Sequence, residues 1–111
     1  MYMYDQAHVL VKAIRESEEY KLLKAQKEKL EQDETLKKMF TDYRTKQFEI
    51  QRVQLVGETV PDDKMQAFRQ LHEVVVANPV LKEFLEAEYR FSTVMSDIQK
   101  ILVDGLDLMI D

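Results

Sequence analysis

The sequence has no cysteine and no tryptophan, and only two glycines and two prolines in 111 residues. Without cysteine there is no disulfide, no thiolate nucleophile and no cysteine-held zinc or iron–sulfur cluster, and no such cofactor is expected. A sheet-rich architecture needs turn residues every ~8–12 positions, and this chain lacks them. No apolar run approaches the ~20 residues that span a bilayer. The start, Met1-Tyr2-Met3-Tyr4-Asp5, lacks the charged region and apolar stretch of a signal peptide. A cytoplasmic protein without membrane association is therefore expected. A basic surplus is missing too. The net charge is −5, with 11 basic and 10 acidic residues in 1–56 and 5 and 11 in 57–111. The basic residues of the first half alternate with acids, as at Lys24, Lys27, Glu28, Lys29 and Glu31, which is the pattern of a solvated face with local ion pairs. Nucleic-acid binders show a basic stripe or a high pI, so direct nucleic-acid binding is disfavoured.

What the chain does contain is helix-forming: Glu, Lys, Gln, Leu and Met are abundant. Ala7, Leu10, Val11 and Ile14 recur at helical spacing and predict a buried face on a helix over about 4–15. Ser17 with Glu18 and Glu19 reads as the cap and acidic first turn of a second helix. Its apolar stripe thins between Leu23 and Leu30, so it is expected to be short and largely exposed. Asp33 opens a third helix that runs to about Val56 and stops at Gly57. Its stripe is Leu36, Met39, Phe40, Tyr43, Ile50 and Val53, with Gln47 inside it and Phe48 and Leu55 off it. Residues 57–62 form a loop in which Thr59 or Asp62 can cap a fourth helix over 63–77, with Met65, Phe68, Leu71, Val74 and Val75 inward. Asn78-Pro79 breaks the chain and starts a last helix over 79–103. Gly105 weakens that helix ahead of an apolar tail, 104–111.

The expectation is a single domain, 1–111, of the all-α class: an antiparallel helical bundle of two long helices, 34–56 and 79–103, with shorter flanking helices. Helices this long in so short a chain leave apolar surface uncovered, which points to a homo-oligomer. Phe91, Met95, Ile98, Leu102, Leu106 and Met109, on the last helix and the tail, are the candidate interface.

Chemistry-bearing constellations are sparse. His8 and His72 sit on different helices, and neither belongs to a complete metal-ligand motif. No serine has elbow glycines around it, and no glycine-rich phosphate loop exists. Tyr43 has no base or electrophile near it in the sequence. Glu88 is the most site-like residue, because it falls between Phe84 and Phe91 at the edge of an apolar stripe. A carboxylate there needs a cationic partner, and Arg44 or Arg52 on the facing helix can supply it. The pair Glu88 with Arg44 is read as a structural ion pair that holds helix register. No catalytic, cofactor-binding or metal residue is assigned, and an enzyme is not expected.

Taken along the chain, Ser17-Glu18-Glu19-Tyr20, Asp33-Glu34, Lys38-Met39-Phe40, Tyr43-Arg44, Gln47, Gly57-Glu58, Asn78-Pro79, and above all Glu86-Ala87-Glu88-Tyr89-Arg90-Phe91-Ser92 with Asp97-Ile98, resemble the YlbF/YmcA family of small helical bacterial proteins. The resemblance is nearest the uncharacterised YheA-like branch and covers nearly the whole chain. It implies a self-associating, cytoplasmic helical bundle. It also implies a regulatory role, since the studied relatives act in a complex that influences competence, sporulation and biofilm formation and assists ribonuclease Y in messenger RNA maturation. That complex is associated with iron–sulfur clusters held by cysteines, which this chain lacks. The expected function is a non-enzymatic helical adaptor that associates with itself and with other regulatory proteins. The alternative is a small RNA- or small-molecule-binding module, resting on the interleaved Lys/Arg of residues 12–52.

Overall fold

The structure, a computed structural model, describes residues 1–108. Five helices lie among them: α1 (Tyr2–Arg15), α2 (Glu18–Glu31), α3 (Glu34–Leu55), α4 (Asp62–Ala77) and α5 (Pro79–Leu106). No strand occurs among the described residues.

Local chemistry sets most boundaries. Ser17 is extended (φ −71°, ψ 150°) between α1 and α2. Its Oγ accepts the Tyr20 N–H at 3.2 Å and donates to the Ile14 carbonyl at 2.6 Å, so one hydroxyl ties down both helix ends. Asp33 caps α3 by accepting the Leu36 N–H at 3.1 Å. Gly57 adopts φ 81°, a left-handed conformation that costs glycine little, and α3 ends just before it. Asn78 accepts the N–H groups of Val80 and Leu81 at 3.0 and 3.1 Å, with Pro79 at the first helical position.

Two boundaries differ from expectation. Neither Thr59 nor Asp62 caps α4. Pro61 occupies the cap position without a side-chain bond, and Asp62 is already helical. The acids Asp62 and Asp63 instead meet the positive helix end from within its first turn. α5 passes through Gly105 and ends at Leu106, where Asp107 turns left-handed (φ 51°, ψ 44°). One glycine costs only ~1 kcal/mol against alanine, too little to stop a helix of 28 residues.

α5 packs most extensively against α2, not α3. The two run antiparallel. Glu18, Glu19 and Leu22 at the start of α2 share a groove with Thr93, Val94 and Asp97, whereas Leu30 at its end joins the core cluster with Leu81 and Phe84. α3 touches α5 at a local crossing, with the Phe40 and Phe84 rings edge to face at 5.0 Å. The long face of α3 goes to α4 instead. There Tyr43 stacks on Phe68 at 5.4 Å, and its hydroxyl shares a 3.0 Å hydrogen bond with His72 Nδ1. Leu30, Phe40, Tyr43, Val75, Leu81 and Phe84 form the centre of the core, with Leu23, Leu36, Met39, Phe68, Leu71 and Leu85 half-buried around it.

As expected, α2 is among the shorter helices, with 14 residues, and most of its residues are exposed, but Gln26 and Leu30 are buried and seat it against the core. The stripe looked thin because a glutamine holds the middle core position. Two inward assignments fail. Val75 is fully buried, but Val74 beside it points outward. α1 buries no residue at all, even though its apolar spacing is regular.

The molecule measures 51 × 39 × 20 Å, with a radius of gyration of 18.1 Å. A compact domain of this length would have about 13 Å.

Candidate interaction surface

The Arg44–Glu88 pair lies where α3 crosses α5. The two side chains form an ion pair, and the Arg44 guanidinium carbon sits 4.8 Å from the Phe40 ring centroid. Arg44 Nη1 also donates to Gln47 Oε1 at 3.0 Å, so Gln47, inside the α3 stripe, orients the arginine. Burial lowers the Arg44 pKa, and the neighbouring Tyr43 opposes that shift. The guanidinium still carries its charge at any physiological pH. Both partners keep over a third of their side-chain surface in solvent, so the attraction is screened and suits alignment better than stability. Arg52 lies elsewhere, beside Val60 and Pro61 in a groove between α3 and the start of α4.

His8 and His72 are far apart in the chain and in role, since His72 is bonded to Tyr43 and His8 is exposed on α1. No group of three His, Asp or Glu side chains able to hold a metal gathers among the described residues. The Ser17 hydroxyl is occupied by its two helix-end bonds.

The larger open feature is a groove of about 680 Å³ between α2 and α5, lined by Leu22, Tyr89, Val94 and the charged Glu18, Arg90 and Asp97 among others. Beyond this groove α5 runs on past the start of α2. From Ile101 to Leu106 every residue is exposed, a length of about 9 Å. Of the six residues proposed from sequence as an interface, Leu102 and Leu106 lie on this arm, and Phe91, Met95 and Ile98 precede it on α5. Phe91 is half-buried against Tyr20, with ring centroids 5.9 Å apart, and Ile98 is half-buried as well. Met95, Leu102 and Leu106 are exposed. Met109 lies outside the described residues.

Sequence reasoning missed two features. Gln26 is buried, and its Oε1 has no hydrogen-bond partner among the described residues. A polar residue at a core spacing was the available signal. The second is the exposed apolar face of α1: Met3, Tyr4, Leu10 and Val11 are exposed, and Ile14 is half-buried.

No helix among the described residues is long and apolar enough to cross a membrane. Residues 3–107 match the family model described as control of competence regulator ComK, YlbF/YmcA. A UPF0342 protein of Caldicellulosiruptor bescii is 40% identical over 105 residues, covering 95% of this chain and 88% of the relative. One from Halothermothrix orenii is 39% identical over 108 residues, covering 97% and 92%. Among solved structures, a Bacillus stearothermophilus protein of unknown function (DUF964) superposes with a TM-score of 0.81 at 24% identity, covering 98% of this chain and all of that one. Bacillus subtilis RicA, solved in complex with RicF, superposes with a TM-score of 0.64 at 16% identity, covering 96% and 97%. These two likenesses establish the all-α fold. With the family model spanning nearly every described residue and relatives near 40% identity, the chain belongs to the YlbF/YmcA family.

Proposed function

We propose that this protein is a cytoplasmic helical adaptor that regulates by binding, both to further copies of itself and to other regulatory proteins, and that it catalyses no reaction. The observation that carries this reading is surplus surface. The chain exposes 9088 Å², whereas a compact monomer of 13.2 kDa would expose about 6,400 Å². Much of the excess is apolar and contiguous along helices, which is the form of surface that binds proteins. The family's description as a control of a competence regulator supports a regulatory role, and the RicA relative was solved bound to a protein partner. An RNA-binding reading has weaker footing. Lys27 and Lys46, on which it would draw, are engaged by Glu31 and Asp42 on their own helices.

The test is binding to a purified partner. A protein recovered from the native host is purified and titrated against the wild type and Leu102→Asp by calorimetry. Leu102 is exposed within one chain, so its replacement removes no packing from that chain's own core. Specific binding that Leu102→Asp weakens at least tenfold supports the reading. A monodisperse monomer that binds no purified candidate, or binding that Leu102→Asp leaves unchanged, refutes the role assigned to the α5 arm.

A further inference from the structure

Two apolar helix faces are left mostly exposed, with only Ile14 on one and Val94 and Ile98 on the other half-buried, and they match. On α1, Met3, Tyr4, Ala7, Leu10, Val11 and Ile14 recur every three or four residues and make one charge-free face. On the distal part of α5, Val94, Met95, Ile98, Ile101, Leu102 and Leu106 do the same, with Asp97, Lys100 and Asp104 confined to the other side. α1 is about 21 Å long and the stretch Met95–Leu106 about 18 Å. Within one chain the two helices are not packed together. They are joined through α2 by the corner at Ser17, whose backbone is extended and whose hydroxyl satisfies both helix ends.

From these observations we infer that the occupant of the α5 arm is α1 of a second copy. The two copies form a reciprocal dimer in which each α1 lies on the partner's distal α5. This rests on the self-association proposed above and goes further by naming which helix meets which. Symmetry makes the arrangement economical, since one two-fold axis forms the contact twice and closes the assembly. The area allows it. The excess of roughly 2,700 Å² per chain, spread over the whole molecule, leaves room for the ~800 Å² per partner of a standard interface. A contact of α1 with α1, or of α5 with α5, would leave the other apolar face exposed in both copies.

The absence of native cysteine allows a direct test on the full chain. Light scattering on the wild type comes first, and a mass of twice 13.2 kDa is expected. Leu10→Cys and Leu102→Cys are then made as separate chains. Both positions are exposed, and circular dichroism checks that helix content is retained. The two chains are mixed, allowed to exchange, and treated with a short bis-maleimide, and the linked peptides are read by mass spectrometry. The inference expects links between position 10 and position 102 of different chains, about tenfold above links between like positions. A dimer linked mainly 10 to 10 or 102 to 102 overturns the exchange of α1 but leaves self-association standing. A doubly substituted chain that links 10 to 102 within a single 13.2 kDa species also overturns it, by placing α1 on its own α5. A monomeric wild type overturns both the exchange and the self-association on which it rests.

Discussion

If surplus surface is covered by a second copy, stability must depend on protein concentration. Among the described residues only eight apolar side chains are buried within one chain: Leu30, Phe40, Tyr43, Val60, Val75, Leu81, Phe84 and Ala87. Most of the apolar surface of α1 and of the α5 arm gains burial only through assembly, so folding and association are coupled. With about 0.7 kcal/mol of unfolding enthalpy per residue near 60 °C, 111 residues give about 78 kcal/mol per chain and about 155 kcal/mol per dimer. For a dimer that melts directly to two unfolded chains, a hundredfold rise in concentration then raises Tm by about 6 °C. The assay is thermal denaturation followed by circular dichroism at about 1 and 100 µM, with calorimetry at the upper concentration. Leu102→Asp places a carboxylate in the middle of the proposed contact. It should lower Tm at the upper concentration and remove most of the concentration dependence. A wild-type Tm that differs by less than about 1 °C between the two concentrations would refute the coupling.

Three further outcomes test the interior. Leu81 is fully buried beside Phe84 and Val75, so Leu81→Ala should cost about 2–5 kcal/mol in urea denaturation. Asn78→Ala removes an acceptor from two backbone N–H groups and should cost about 1 kcal/mol, while Asn78→Asp, which keeps an acceptor oxygen, should recover most of it. A double-mutant cycle of Arg44→Met and Glu88→Gln should give a coupling of only about 0.5–1 kcal/mol, because both side chains are partly solvated; a value near 3 kcal/mol would mean that the pair behaves as buried.

Helix existence was most legible for α2, α3 and α5, because each of these starts carries its own chemistry within four residues. Ser17, Asp33 and Asn78 each accept N–H groups of the helices that they open. The scarcity of glycine and proline left no competing class. Pairing was less legible. The two longest helices looked like natural partners, but length does not decide which faces are complementary. α3 spends Tyr43 on Phe68 and His72 of α4, which leaves only the Phe40–Arg44 turn for α5. Partnership of α5 with α2 was hidden by Gln26. A buried glutamine reads as a gap in an apolar stripe, although its methylene groups pack like those of its neighbours.

The candidate surface was legible on one side only. The exposed end of α5 could be read from an apolar stripe extending past the length that the rest of the chain can cover. The complementary face of α1 could not, because helical spacing says that Ala7, Leu10, Val11 and Ile14 share a side but not which molecule covers it. That information sits in the direction of the helix, and direction is set by the single corner at Ser17. Two helices joined by so short a connection normally fold back on one another and bury their stripes together. Here the Oγ of Ser17 bonds the Ile14 carbonyl at 2.6 Å and the Tyr20 N–H at 3.2 Å, which satisfies both helix ends without any such fold-back. Loosening the corner would therefore do more than weaken a cap. On the proposed exchange of α1, it would let α1 reach its own chain, and the serine that starts α2 would also keep the apolar face of α1 available to a second copy.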